Sequence, residues 1–205
     1  NPEDTPDTPT STEIEYEAGK PVAVDGKKMK LSEIVIALNK ISGDNGFGRL
    51  DLVEDRLVGL KSRECYEVPG ALTLITAHKA LEDICVEGDL LKTKIKLEQD
   101  WATAVYNGQW YSPLKNALDA FMADTQKFVT GTVRLKFFKG NCHVVGRKSP
   151  FSLYDYGLAT YDRDTTFDEK ASAGFIYLDT LSLKTLSKVQ GPGSTLAYLK
   201  AGAGS

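Results

Sequence analysis

Thr132-Val133-Arg134-Leu135-Lys136-Phe137-Phe138-Lys139-Gly140-Asn141-Cys142-His143-Val144-Val145-Gly146 holds two alternating runs about a short polar link. A period of two places Val133, Leu135 and Phe137 on one face of a strand, and Lys139-Gly140-Asn141 reverses the chain into a hairpin. Working upstream, Ser112-Pro113 opens a helix predicted to run to about Val129, with Ser112 as its cap and Pro113 in the first helical position. Before it, Ala71 to Val86 and Leu90 to Val105 carry apolar residues at helical spacing, the second at Leu91, Ile95, Trp101 and Val105. From Gly48 the period returns to two. Leu50, Leu52 and Leu57 through Leu60 among Asp51, Glu54, Asp55 and Arg56 predict two strands joined at a tight acidic turn, closed by Pro69-Gly70.

Ser32-Glu33 leads a helix with Ile34, Val35, Leu38 and Ile41 on one face, ending near Gly43 and predicted to pack on a sheet. Glu13 to Glu17 alternates and returns through Ala18-Gly19-Lys20 into Pro21 to Gly26, a first hairpin. Residues 1–12, spaced by Pro2, Pro6 and Pro9, read as an extended interdomain linker, and 13–190 as the folded domain. Phe175 to Lys188 predicts a C-terminal helical arm, and 191–205 a flexible tail of small residues.

Two stretches resemble each other. Val58-Gly59-Leu60-Lys61-Ser62 has a counterpart in Val145-Gly146-Arg147-Lys148-Ser149, and a helix precedes each strand region. The expected fold is therefore α+β: a mixed or antiparallel sheet with packed helices, built from a helix and strand unit used twice, with both halves sharing one sheet. Coincidence between short strand motifs is the alternative.

Of 205 residues, 41% are hydrophobic, enough for one sizeable core. No apolar run has membrane-spanning length, and the acidic opening is unlike a secretory leader. A net charge of −3 argues against a nucleic-acid partner. Cys65, Cys85 and Cys142 lack metal-ligand spacing and, being odd in number, suggest no disulfide framework, which fits a reducing, cytoplasmic setting. The chain does not begin with Met and reads as the latter part of a longer polypeptide.

No catalytic constellation and no metal site is read from spacing. His78 and His143 are expected to be structural, and there is neither a Walker phosphate loop nor a dinucleotide glycine fingerprint. The densest polar segment runs from Arg49 to Tyr66. By pattern alone it reads as a salt-bridged hairpin surface.

That segment, Gly46-Phe47-Gly48-Arg49-Leu50-Asp51-Leu52-Val53-Glu54-Asp55-Arg56-Leu57-Val58-Gly59-Leu60-Lys61-Ser62-Arg63, resembles the argininosuccinate synthetase pattern. The match continues through Tyr66-Glu67, Pro69-Gly70, Val105-Tyr106-Asn107-Gly108, Val129 to Lys136, and Val145-Gly146-Arg147-Lys148-Ser149-Pro150, covering about residues 1–190. The resemblance implies the C-terminal half of an enzyme that joins citrulline and aspartate using ATP, with Mg, through adenylation of the ureido oxygen. It implies that Glu54 and Tyr66 contact citrulline, that this half assembles as a homotetramer through its C-terminal arm, and that nucleotide and aspartate bind the N-terminal half. No cofactor is expected on this chain alone, which is expected to be inactive by itself. The chain departs from the pattern at Asp55, usually Asn, and at Glu64, usually Gly. A non-catalytic self-associating module is the second reading, and an unrelated small-molecule-binding protein the third.

Overall fold

The computed structural model describes residues 1–160 and 166–191, in two compact units divided after Tyr154. The tail expected at 191–205 lies outside the described residues except for Gly191.

In the first unit five strands form one antiparallel sheet in the order β3-β2-β1-β6-β7. They are β1 (Thr10–Glu17), β2 (Lys20–Val24), β3 (Lys27–Lys28), β6 (Gly131–Phe138) and β7 (Asn141–Lys148). The alternation in β1 and β6 turns Ile14, Tyr16, Val133, Leu135 and Phe137 to one face, each at most 2% exposed. Helices α1 (Leu31–Asp44) and α2 (Pro69–Cys85) supply Ile34, Leu38, Ala77 and Leu81 to the same core. Burying such aliphatic and aromatic side chains contributes roughly 1.5–3 kcal/mol each. Tyr16 keeps its hydroxyl satisfied by donating to the Leu74 carbonyl at 3.0 Å.

Residues 1–12 are not simply extended. A 3-10 turn spans Pro2–Asp4, and β1 begins at Thr10, which pairs with Phe137. Lys139 Nζ donates to the Thr5 carbonyl at 2.6 Å and Arg49 donates to Asn1 Oδ1 at 2.9 Å, so the segment is fastened to the folded body.

Helix α3 (Gly88–Tyr106) and helix α4 (Pro113–Thr125) pair with each other, capped by Glu87 and Ser112. Two expectations shift here. Ile95 is 52% exposed, and the residues α3 buries are Lys94 and Ala104. Helix α4 stops at Thr125 instead of Val129, because Gln126 turns its amide inward to Glu82 while Val129 is fully buried and its carbonyl accepts from Gly19 N–H.

The remaining hairpin, β4 (Arg49–Asp55) with β5 (Lys61–Glu67), forms a separate two-stranded sheet. The helix-then-hairpin order does occur twice, α1 with β4–β5 and α4 with β6–β7, but the two hairpins do not share a sheet. The similar Val-Gly stretches also differ in place: Val58-Gly59 is in the turn before β5, whereas Val145-Gly146 is within β7. Leu57 to Leu60, expected in strands, form the turn itself, closed by Arg56 N–H donating to the Leu60 carbonyl at 2.9 Å. Gly59 takes φ +79° there.

In the second unit, taken by itself, Asp155 caps the short α5 (Tyr156–Ala159). The single expected terminal helix is two, α6 (Ala171–Asp179) and α7 (Leu181–Gln190), separated at Thr180, whose hydroxyl donates to the Ile176 carbonyl at 2.7 Å. Phe175, Ile176, Leu178, Leu183, Leu186 and Val189 are all exposed.

The hairpin base depends on Gly48. At φ +113° it accepts from Val68 N–H through its carbonyl at 2.8 Å, and a Cβ there would come within 2.3 Å of Pro69 Cα. Gly48→Ala is expected to lower stability in urea unfolding by about 2 kcal/mol or more, because backbone must move. Gly26→Ala, also at positive φ but with nothing within 4 Å, should cost only about 1 kcal/mol.

Candidate functional site

The register of β4 with β5 decides which side chains of the polar segment meet. Leu50 opposes Tyr66, Leu52 opposes Glu64, and Glu54 opposes Ser62, so these six share one face. Arg49, Asp51, Val53, Asp55, Lys61, Arg63, Cys65 and Glu67 take the other. Glu54 and Tyr66, named from the sequence, are thus brought together: the Tyr66 phenol reaches diagonally over the Leu52–Glu64 pair and donates to Glu54 Oε1 at 2.9 Å.

Between Arg49 and Glu67 the chain has five carboxylates and four cations. Arg63 grips Asp51 with two hydrogen bonds of 2.8 and 2.6 Å, Lys61 meets Asp55 at 2.6 Å, Arg49 meets Glu67 at 3.2 Å, and Arg56 meets Glu64 at 3.1 Å. Each cation is used once. Glu54 is left over, with a neutral phenol as its partner and no cation within salt-bridge distance among the described residues.

The electrostatics follow. Arg63 holds the Asp51 carboxyl below its ordinary pKa, chiefly through the hydrogen bonds. Tyr66 moves the other way, first because its proton is hydrogen-bonded to the Glu54 carboxylate, then through desolvation and the charges of Glu54 and Glu64. The face therefore sets a phenol donor against a carboxylate acceptor, groups suited to the polar end of an amino acid.

The departures from the family pattern do not displace this pair. Asp55 lies on the opposite face in its bond to Lys61, and Glu64 points to Arg56.

A second polar group escaped the sequence reading. Glu82 and Lys94, both nearly buried, pair at 2.9 Å; Lys94 also contacts Glu98, and Gln126 donates to Glu82 at 2.6 Å. His78 Nε2 meets Gln126 Oε1 at 2.8 Å. Burial pulls the Lys94 pKa down, but its bonds to Glu98 and Glu82 outweigh this and hold it above the ordinary value. Beside the group runs a cleft of about 880 Å³ lined by Trp101, Met122, Ala123 and His78 among others. It is built without the β4–β5 hairpin. The i, i+4 spacings His78–Glu82 and Lys94–Glu98 were the only trace of the group in the sequence. His143, in β7, is exposed.

All three thiols are free; Cys65 is exposed, Cys85 buried, and burial pushes Cys142 up to about 11. Among the described residues no His, Cys, Asp and Glu side chains gather as a metal site, and no helix is long and apolar enough to cross a membrane.

Residues 1–186 match the family model described as the arginosuccinate synthase C-terminal domain. The chain belongs to the argininosuccinate synthase family. It is 54% identical over 187 residues to the argininosuccinate synthase of Bacillus pumilus, covering 91% of this chain and 46% of that protein. It is 51% identical over 189 residues to that of Pelodictyon phaeoclathratiforme, covering 92% and 47%. The chain thus spans about half the length of these argininosuccinate synthases, corresponding to their C-terminal part.

The Glu54–Tyr66 bond has a direct readout. Glu54→Gln replaces the carboxylate acceptor with a neutral one, so the phenol loses the charge that favoured its protonated form. Absorbance titration of tyrosinate, referenced to Tyr66→Phe, is expected to show the Tyr66 pKa falling toward its ordinary value.

Proposed function

We propose that this chain provides the citrulline-binding hairpin and the oligomer-forming part of an argininosuccinate synthase whose nucleotide and aspartate sites lie on an N-terminal half. The observation that carries the reading is the surplus carboxylate: in a hairpin where every cation has an acidic partner, Glu54 alone offers its charge to an incoming ammonium. Citrulline's α-ammonium would take the place of the phenol proton on Glu54 in a charge-assisted bond, and the freed Tyr66 hydroxyl would donate to another polar group of the ligand. Fixing one end of citrulline in this way aims its ureido group away from the hairpin, toward the half that holds Mg–ATP.

In the complete enzyme the ureido oxygen attacks the α-phosphorus of ATP, releasing pyrophosphate. The aspartate amine then adds at the ureido carbon and AMP leaves. In these steps Glu54 and Tyr66 bind and orient citrulline. The exposed apolar side chains of α6 and α7 fit an arm that packs on a neighbouring subunit of a homotetramer. The free thiols fit a cytoplasmic enzyme.

Complementation separates this from a non-catalytic self-associating module. Co-expressed with the N-terminal half of a related synthase, the chain should support citrulline-dependent release of pyrophosphate, and aspartate should then yield AMP and argininosuccinate. A stable complex that remains inert would favour the module. In the active complex Glu54→Gln is expected to raise the citrulline KM about tenfold or more, the loss of one charged hydrogen bond. Glu17→Gln, on an exposed strand end, should leave it unchanged; equal effects would remove Glu54 from the site.

A further inference from the structure

The face of the β4–β5 hairpin that carries Glu54 has four polar side chains, Glu54, Ser62, Glu64 and Tyr66. Three of them are committed: Glu54 and Tyr66 to each other, and Glu64 to Arg56. The Ser62 hydroxyl is the one without a hydrogen-bond partner among the described residues, and Ser62 holds the register position directly across from Glu54. A carboxylate only accepts hydrogen bonds, whereas a serine hydroxyl donates as well, so the free group complements the one opposite it. Side chains directly opposed on two antiparallel strands leave the backbone with their Cβ atoms about 4.5–5.5 Å apart. That spacing suits a ligand with a cation and an anion on a single carbon atom, as an α-amino acid has. A simple amine would need Glu54 alone.

We propose that Ser62 is a further substrate-binding residue, the one that selects an α-amino acid over an amine: while Glu54 takes the α-ammonium, the hydroxyl across from it donates to the α-carboxylate. This rests on the citrulline reading above and adds to it the second charge of the zwitterion. The bond forms only with a ligand that has a carboxylate, which separates it from anything Ser62 does for the hairpin itself.

The test is a cycle of variants and ligands in the complemented enzyme. Citrulline is compared with carbamoylputrescine, which keeps the amine and the ureido group and lacks the carboxylate. Ser62→Ala is expected to raise the citrulline KM about tenfold, the loss of one charge-assisted hydrogen bond, and to leave the inhibition constant of carbamoylputrescine within about twofold. Ser62→Thr keeps the hydroxyl and should hold the citrulline KM within about twofold of the parent value. Glu54→Gln should weaken both ligands, since both carry the ammonium. The Tyr66 pKa should be the same in Ser62→Ala as in the parent, because the Glu54–Tyr66 bond does not involve the serine. A merely structural role for Ser62 predicts instead that Ser62→Ala shifts the Tyr66 pKa and weakens both ligands alike, and that result overturns the proposal. An unchanged citrulline KM in Ser62→Ala overturns it equally. If Glu54→Gln alters neither ligand, the citrulline reading itself fails. If Glu54→Gln weakens both while Ser62→Ala weakens neither, only the role of Ser62 fails.

Discussion

The pairing of β1 with β6 is the contact on which the rest of the first unit depends. From Thr10↔Phe137 to Tyr16↔Gly131 it joins the start of the chain to a strand more than a hundred residues later, and it assembles Ile14, Tyr16, Val133, Leu135 and Phe137 into one apolar face. Without that face α1 and α2 have nothing to cover. The same face positions the candidate site: the Phe137 ring packs on Phe47 at 5.8 Å, Gly140 N–H donates to the Asn45 carbonyl at 2.8 Å, and Gly48 follows at once as the base of the β4–β5 hairpin.

What the sequence showed is what period and turn chemistry encode. The hairpins at Ala18-Gly19 and Lys139-Gly140, the Ser112-Pro113 helix start and the helical face of Ile34 and Leu38 are all local signals, and each element exists. The Leu57 to Leu60 run misled because apolar residues normally mark strands, whereas here they form an exposed tip. Membership of one sheet or two is a question of long-range pairing, to which a short Val-Gly repeat is blind. At the site, Glu54 and Tyr66 were legible only through family resemblance. Their meeting follows from register, and the odd carboxylate emerges only after every cross-strand ion pair has been assigned.

The attachment of α3 illustrates the opposite limit. Of the apolar positions expected to face inward, Leu91, Trp101 and Val105 are half-buried and Ile95 is exposed, while the helix is also joined to α2 through the buried pair of Lys94 and Glu82. Such a buried pair adds little net stability over well-packed apolar side chains, but losing one partner strands a charge and costs about 3–5 kcal/mol. The three further contacts from Glu98, Gln126 and His78 make the arrangement directional, so α3 and α4 take one position against α2 where an oily face would tolerate several. We regard this as fold specification by polar geometry, which helical periodicity does not report.

The hairpin itself is the least self-sufficient part of the first unit. A two-stranded ribbon is marginal in water, and exposed ion pairs of the kind found along it contribute about 0–1 kcal/mol each. Its tip exposes Leu57, Val58 and Leu60 at 65–79%, where burial would ordinarily stabilise it. The anchored base at Gly48 and Pro69 fixes direction, while the face carrying Glu54 and Tyr66 lies further out, where opening costs least. A ligand that engaged Glu54 and Tyr66 would draw on ordering as well as contact: it would stabilise the ribbon that presents them, and its affinity would be the contact energy less the cost of holding the ribbon still. The phenol–carboxylate bond sets the two side chains facing each other, but in the proposed binding mode it is exchanged for ligand contacts, so its loss is part of that cost.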